Sequence, residues 1–156
     1  MNYFRVLFVA ILFLLPVFAQ AQIKHLTDVK DMPPHPRILL LQGEEQLIKA
    51  NIDADPAWST MHQVIINECD RIITMPEVTR RMEGRRLLNV ANDALRRIFY
   101  LSYAYRMSGQ DKYFQKAEKE MLAISAFSDW NPSHFLDVAE MTMAMAIGYD
   151  WLFAKL

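Results

Sequence analysis

Apolar side chains recur at every third or fourth position through most of the chain after residue 43. This is the spacing at which side chains share one face of an α-helix. After Pro56, for example, Trp58, Met61 and Ile65 begin a series that continues to Ile72. The pattern predicts five helices, which cover Glu44–Asp53, Pro56 to just before Met75, Arg85–Met107, Asp111–Ala126, and Pro132 to near the end of the chain.

Residues that favour helix ends stand at the borders of these segments. Asp55-Pro56 places a capping carboxylate before a proline at the first helical position, and Asn131-Pro132 repeats the pair. Asp111 is placed to cap the fourth helix. Gly109 follows the third helix, where a left-handed residue commonly ends one. The signals predict antiparallel helical hairpins joined by short loops.

The last predicted helix differs from the other four because it is apolar on every side. Between Phe135 and Phe153 the only charged residues are Asp137, Glu140 and Asp150. Such a helix is expected to be buried all round, as an inner helix between two layers of partners. Five helices are too few to cover it. We therefore expect further helices beyond residue 156, and self-association of the chain without them.

The first 21 residues have the features of a cleaved signal peptide. Arg5 precedes the apolar run Val6–Phe18, and Ala19-Gln20-Ala21 has the small-residue spacing that signal peptidase requires. The run is shorter than the roughly 20 residues of a membrane-spanning helix. We expect export to the periplasm or the medium, with no membrane attachment after cleavage.

Residues 22–43 are predicted to form an extended N-terminal strap. They contain Pro33, Pro34 and Pro36, and a proline disfavours helix at the residue before it, here His35. The helical domain then comprises residues 44–156. The expected fold class is all-α, built from antiparallel helical hairpins.

Composition narrows the class of protein. Apolar residues make up 53% and charged residues 22%, which indicates a folded chain, and four glycines are few for an all-β fold. A net charge of −1 gives no basic excess for nucleic-acid binding. The single cysteine, Cys69, excludes an intrachain disulfide, and the four histidines have no metal-ligand spacing. We expect no metal, no cofactor and no nucleic-acid partner.

Five segments carry a resemblance to a known family. They are His35–Leu40, Asp55–Trp58, Gly84–Leu88, Ala94–Ile98 and, longest and most specific, Asp129–Met141, which continues to Gly148–Trp151. Together they resemble the N-terminal region of the heparinase II/III-like family of exported bacterial polysaccharide lyases. The resemblance implies that the hairpins form part of an incomplete α/α toroid. It also implies that a large β-sandwich region follows, together with the remaining helices, beyond residue 156.

The chemistry implied by the resemblance is β-elimination in polysaccharides that contain uronic acids. A base removes the proton at C5 of the uronate, a second group neutralises the carboxylate, and the glycosidic oxygen leaves with a proton. Family members generally use Asn, Tyr and His in these roles, and we expect those positions to lie beyond residue 156. The chain is thus predicted to be the N-terminal portion of such a lyase, inactive alone, with an anionic polysaccharide as its partner.

Four residues near the start of the last helix are candidates for binding substrate: Trp130, Asn131, His134 and Glu140. An indole ring can stack on a sugar, and Asn and His side chains can hydrogen-bond hydroxyl and carboxylate groups. A structural interpretation is also open. In that case Asn131 caps the helix, Trp130 and His134 pack the loop, and Glu140 is buried against arginines. No catalytic residue is assigned.

Two other functions remain alternatives. Asp137 and Glu140 could suggest the acid and base of a toroid-fold glycoside hydrolase. Two carboxylates side by side on one helix cannot flank a scissile bond, however, and burial against nearby arginines is the other interpretation of this pair. The second alternative is a noncatalytic helical module that binds glycan or protein. Of the three, a lyase alone produces an unsaturated uronide, which absorbs ultraviolet light.

Overall fold

Five α-helices form in residues 32–156, the part of the chain that the computed structural model describes. They are α1 (Glu45–Ala54), α2 (Pro56–Ile73), α3 (Leu88–Ser108), α4 (Asp111–Ser125) and α5 (Phe135–Leu152). No strand occurs among these described residues, so the predicted all-α class is confirmed. The predicted signal peptide, residues 1–21, and residues 22–31 of the predicted strap lie outside them.

Two of the predicted helix ends are confirmed in atomic detail. The Asp55 carboxylate accepts a hydrogen bond of 2.8 Å from the Ala57 amide at the start of α2, where Pro56 is the first helical residue. Gly109 ends α3 with a φ of 69°, a left-handed conformation that glycine adopts without steric cost. Both signals are local, so they could be recognised without knowing the tertiary structure.

Two of the predicted caps are wrong. Asp111 is the first helical residue of α4 rather than its cap, and its carboxylate lies 3.1 Å from Lys155 Nζ. The predicted Asn131-Pro132 start is also wrong, because α5 begins only at Phe135. Asn131 has a φ of 55°, and its side chain points into the protein instead of capping a helix.

Helix α3 begins three residues later than predicted because a tight turn precedes it. Glu83 and Arg86 exchange two backbone hydrogen bonds of 2.8 and 3.1 Å, and this bridge includes Gly84 at a φ of 60°. The turn holds residues 83–86 out of the helix. It also brings the Leu87 amide next to the first turn of α5.

Helix α3 is the centre of the arrangement, and the other four helices all pack against it. It runs antiparallel to α2, since His62 contacts Tyr103 and Glu68 contacts Arg96. It runs parallel to α5: the Leu87 amide bonds Asp137 near the start of both helices, and the Arg106 guanidinium lies 5.1 Å from the Trp151 ring near their ends. A two-residue link, Gly109-Gln110, turns the chain from α3 into α4.

The face of α5 that packs on α3 and α4 includes a glycine. Gly148 is buried, and a Cβ added to it would lie 2.8 Å from Ile98 Cγ2 and 2.7 Å from Met121 Sδ. Distances this short are steric overlaps, and the branched Ile98 side chain has little freedom to move away. The missing side chain of Gly148 therefore allows close contact among the three helices.

The described residues cover helix α5 on one side only, so the predicted burial on all sides stays a prediction. Met141, Ala144 and Ile147 are almost fully buried against the other helices. On the opposite side, the side chains of Phe135 and Met143 are 80% and 48% exposed. This side of α5 is an exposed apolar surface.

A buried ionic group fastens the connector between α2 and α3 to helix α4. The Glu120 carboxylate is inaccessible to solvent and lies 3.0 Å from Arg97 Nη1 and 3.1 Å from Lys116 Nζ. It also accepts a 3.0 Å hydrogen bond from the Val78 amide. A buried carboxylate needs such partners, because burying an unpaired charge is very unfavourable. The arrangement fixes an irregular segment between two helices.

Cys69 is a buried free thiol on helix α2. It is inaccessible to solvent, and burial raises the pKa of the thiol to about 12. Its thiolate, the reactive form, is therefore scarce at neutral pH.

Among the described residues, no helix is long and apolar enough to span a membrane.

Replacing Gly148 with alanine should destabilise the protein by about 1–3 kcal/mol, because the added methyl group overlaps Ile98. Urea denaturation followed by circular dichroism measures the effect. The control is Thr142→Ala, an exposed position on the same helix, where alanine should be neutral or slightly stabilising through its helix propensity. A Gly148→Ala protein as stable as the parent would contradict the close packing described here.

Candidate functional site

The longest segment that carries the family resemblance, Asp129–Met141, folds around one buried carboxylate. Asp137, in the first turn of α5, is inaccessible to solvent. Its Oδ2 accepts hydrogen bonds of 2.7 Å from the Leu87 amide and 2.7 Å from Asn131 Nδ2. The carboxylate thereby joins the turn before α3 to the loop before α5.

Asn131 is committed to holding these two loops together. The side-chain Nδ2 of Asn131 also donates to the Arg85 carbonyl at 2.9 Å, and the backbone N–H of Asn131 donates to Asp129 Oδ1 at 2.7 Å. Its Oδ1 accepts a 2.8 Å hydrogen bond from the Ser133 hydroxyl. Only 6% of the residue is exposed. Its polar atoms are therefore occupied within the protein and not offered to a ligand.

Two cationic or potentially cationic side chains approach Asp137 from the solvent side. His134 Nδ1 lies 3.3 Å and Arg86 Nε 3.9 Å from Asp137 Oδ1. Burial by itself would raise the pKa of Asp137. The hydrogen bonds from Leu87 and Asn131, with the charges of His134 and Arg86, outweigh burial and hold that pKa below its ordinary value. Asp137 is thus a structural anion rather than a proton donor at neutral pH.

Glu140 lies one helical turn further along α5 and is only partly buried. Its two oxygens accept hydrogen bonds of 3.2 and 3.4 Å from Asn92 Nδ2, and the charge of Arg86 also acts on it. Burial and the nearby charge of Asp137 raise the pKa of Glu140. The two carboxylates have opposite pKa shifts because hydrogen-bond donors surround Asp137 and are few around Glu140.

Trp130 is used for packing. Its Nε1 donates to the Ile124 carbonyl at 2.9 Å, and its ring lies against the main hydrophobic core. The rest of its surface borders a groove of about 300 Å³, together with Phe127, Pro132 and Val138. Asn131, His134 and Glu140 do not line this groove. The structure therefore does not gather the four sequence-predicted residues into one cleft.

His134 remains the candidate with the most open surroundings. It precedes the first residue of α5 without capping the helix through its side chain, and that side chain is 33% exposed. His134 and Glu140 lie on the solvent side of the residues that contact Asp137. A single histidine of this kind can contact a ligand, but by itself it does not form a catalytic site.

A second cluster, which the sequence analysis did not single out, fastens the strap to the end of α5. The Asp150 carboxylate accepts hydrogen bonds of 2.8 Å from the Arg37 amide, 3.0 Å from the Ile38 amide and 2.5 Å from His35 Nδ1. Trp151 Nε1 donates to the Ile38 carbonyl at 2.9 Å. Burial would raise the pKa of Asp150, but these donors outweigh it and lower that pKa.

The basic side chains of residues 80–86 do not form one anion-binding patch. Arg80 pairs with Asp129 at 2.7 Å, and Arg81 pairs with Glu83 at 3.2 Å. A cleft of about 380 Å³ lies beside them, but it carries Asp93 and Glu77 as well as Arg81 and Arg97. Among residues 32–156, no three His, Cys, Asp or Glu side chains are placed to hold a metal ion.

Removing the Asp137 carboxylate should cost far more stability than removing that of Glu140. Asp137→Ala leaves the buried Leu87 amide without an acceptor and removes one of the two acceptors of Asn131 Nδ2, at about 1–3 kcal/mol for each lost partner. Glu140→Ala should change the free energy of unfolding by less than about 0.5 kcal/mol. Chemical denaturation of both variants measures the difference. Equal losses would contradict the central role assigned to Asp137.

Acidification should weaken the attachment of the strap. The pKa of Asp150 is lowered in the folded state, so its stabilising contribution is complete above the ordinary pKa of about 3.9 and disappears as the pH falls through the lowered value. The free energy of unfolding should fall below about pH 5, and less steeply in Asp150→Asn. Urea denaturation at several pH values measures both, with Asp53→Asn, an exposed carboxylate on α1, as the control. If the free energy of unfolding depended on pH equally in the parent and in Asp150→Asn, the role assigned to Asp150 in attaching the strap would be contradicted.

Comparison with known proteins adds no relative on which these assignments could depend. No model of a known protein family matches the chain, and no curated protein matches it. Function must therefore be inferred from the geometry of the described residues.

Proposed function

We propose that this chain is the N-terminal portion of an exported polysaccharide lyase that cleaves uronic-acid-containing glycans by β-elimination. One observation supports the proposal most: four of the segments that carry the resemblance are joined in two pairs. His35–Leu40 bonds Gly148–Trp151 through Asp150, and Gly84–Leu88 bonds Asp129–Met141 through Asp137. Segments more than 40 residues apart in sequence are thus hydrogen-bonded to each other at two places in the fold.

The order of the helices agrees with a part of an α/α toroid. In such a fold, consecutive hairpins supply alternating outer and inner helices, and neighbouring inner helices run parallel. Here α3 and α5 lie side by side and parallel, while α2 runs antiparallel to α3. We assign α3 and α5 to the inner layer and α2 and α4 to the outer layer.

In this proposal the chain supplies the framework of the cleft and not its catalytic groups. Elimination needs a base at C5 and a group that neutralises the uronate carboxylate. Asn131 and Asp137 are occupied by structural hydrogen bonds, and the carboxylate beside His134 Nδ1, at 3.3 Å, is that same Asp137. We assign His134 and Glu140 to the edge of the substrate cleft and place the catalytic groups outside the described residues.

The hydrolase alternative receives less support from this geometry. A hydrolase requires two carboxyl groups that reach opposite sides of a glycosidic bond. Asp137 is inaccessible to solvent, so the pair Asp137 and Glu140 cannot act in this way. The noncatalytic alternative is favoured by one observation, the exposed apolar side of α5, which suits contact with protein rather than with a charged glycan.

The test is to express the complete reading frame that contains these residues and to incubate the protein with heparin-like, alginate-like and other uronate polymers. We expect new reducing ends together with the ultraviolet absorbance of the unsaturated uronide. Reducing ends without that absorbance would identify a hydrolase. Binding of a polymer with no cleavage of any kind would identify a noncatalytic module. Either result would contradict the proposal.

The role of His134 can be tested in the same protein. Because we place it at the edge of the cleft, His134→Ala should keep kcat/KM within about tenfold of the parent, whereas loss of a general acid or base costs 10²–10⁴-fold. Gln115→Ala, an exposed change on α4, is the control. A loss of about 10²-fold or more in His134→Ala alone would show that a catalytic group lies within the described residues.

A further inference from the structure

The two oxygens of the Asp150 carboxylate have different partners in the strap. Oδ2 accepts hydrogen bonds from the backbone amides of Arg37 and Ile38, at 2.8 and 3.0 Å. Oδ1 instead faces two side chains, with His35 Nδ1 at 2.5 Å and Arg37 Nε at 3.9 Å. Trp151 Nε1 adds a bond to the Ile38 carbonyl that involves neither oxygen. The side-chain contacts at Oδ1 can therefore change while the backbone of the strap stays attached.

The neighbours of His35 determine where its ring carries hydrogen. A guanidinium has only donors, and an ionised carboxylate has only acceptors. Arg37 Nη2 contacts His35 Nε2, so this ring nitrogen is the acceptor and carries no hydrogen. The other ring nitrogen, Nδ1, bonds Asp150 Oδ1 and is therefore the donor. The geometry thus requires a neutral imidazole with its hydrogen on Nδ1.

Two aromatic rings of the last helical segment enclose the His35 ring. The Phe153 ring stacks on it with the ring centres 4.1 Å apart, and the Tyr149 ring meets it edge-on at 5.7 Å. These two neighbours contribute uncharged rings, so the charged groups against His35 in residues 32–156 are Asp150 of α5 and Arg37 of the strap. The side chains of His35 and Asp150 are only 14% and 5% exposed. Solvent therefore screens the charges at this place weakly.

Asp150 requires a counter-cation over the whole range in which histidines titrate. Its hydrogen-bond donors outweigh burial and hold its pKa below the ordinary value, so Asp150 is ionised from about pH 5 to pH 8. While His35 is neutral, the cation paired with Asp150 is Arg37. A protonated His35 would itself supply that charge, 2.5 Å from Oδ1.

Protonation of His35 is incompatible with the present position of Arg37. It places a hydrogen on Nε2, the atom that now accepts from Arg37 Nη2. A donor would then face a donor, and a cation would face a cation, in a site with little screening. The Arg37 side chain is 28% exposed and can turn toward solvent.

We propose that His35 is a pH-dependent switch that controls the position of Arg37. On acidification, protonated His35 replaces Arg37 as the counter-ion of Asp150, and the Arg37 guanidinium is released to solvent. The strap stays attached, because Oδ2 keeps both backbone amides. Acid thus adds an accessible cation to the surface of the strap without detaching it. The inference does not depend on the proposed lyase activity.

The protonation of His35 can be tested by nuclear magnetic resonance of the protein expressed from its complete reading frame with ¹⁵N-labelled histidine. The signals of His35 are those that disappear in His35→Gln. At about pH 8 we expect a hydrogen on Nδ1 and none on Nε2, and at about pH 5 a hydrogen on both. A neutral ring with its hydrogen on Nε2, or a ring that does not titrate over this range, would overturn the proposal.

The release of Arg37 can be tested in the same protein with an arginine-selective dicarbonyl reagent and mass spectrometry. Arg81, whose side chain is 73% exposed, is the internal reference for the effect of pH on the reagent. The ratio of Arg37 to Arg81 modification should rise at least about threefold from about pH 8 to about pH 5. In His35→Gln the ratio should stay constant, because glutamine offers a donor and an acceptor but does not titrate. His62→Gln, which replaces another partly buried histidine, is the matched control and should keep the rise.

Three results of the second experiment would overturn the proposal. A constant ratio in the parent would mean that Arg37 stays in place. A rise that persists in His35→Gln would assign the release to another group. Loss of hydrogen-exchange protection at the Ile38 amide over the same pH range would mean that the whole strap detaches. If circular dichroism shows that His35→Gln is unfolded, replacing the other three histidines identifies the His35 signals, and the ratio in the parent still decides.

Discussion

Buried backbone amides in irregular segments each need an acceptor, and this requirement organises the described part of the protein. Helices satisfy their own amides, but the strap, the connector after α2 and the turn before α3 do not. In each case a carboxylate on a helix is the acceptor: Asp150 for Arg37 and Ile38, Glu120 for Val78, and Asp137 for Leu87. Two of these three carboxylates are on α5. The most apolar helix therefore also carries the polar groups that attach two irregular segments to the bundle.

The helices were predictable because their signals are local. The cap of α2 by Asp55 and the end of α3 at Gly109 depend on the residues themselves and their immediate neighbours. The role of Asn131 was not predictable in the same way, since Asn before Pro suits both a helix cap and a left-handed turn. The acceptor roles of Asp137 and Asp150 were hidden for another reason. Their partners are backbone amides, which every residue except proline carries, so no side-chain pattern reveals them.

The candidate site shows the same division between local and tertiary information. The segment around Trp130 and Asn131 was selected as a candidate site, but Asn131 bonds Asp137 and Trp130 packs on the core, so the two side chains do not converge on one cleft. Similarly, the apolar character of α5 indicated a need for burial without indicating which side would be left open. That depends on the neighbours present, and Phe135 and Met143 have none over much of their surface. A distinctive sequence segment can thus stabilise the fold and still contain few side chains suited to catalysis or binding.

The attachment of the strap also constrains the order in which the protein can fold during synthesis. His35 and Arg37 leave the ribosome early, but their acceptor on Asp150 lies 113 or more residues later in the chain. Until α5 has been made, the Arg37 and Ile38 amides lack this acceptor, whereas the Leu40 and Leu41 carbonyls can already accept hydrogen bonds from Arg106 of α3. The attachment of residues 35–38 therefore waits for the completion of α5. A polypeptide interrupted before Asp150 would hold the later part of the strap against α3 and leave residues 35–38 without this anchor.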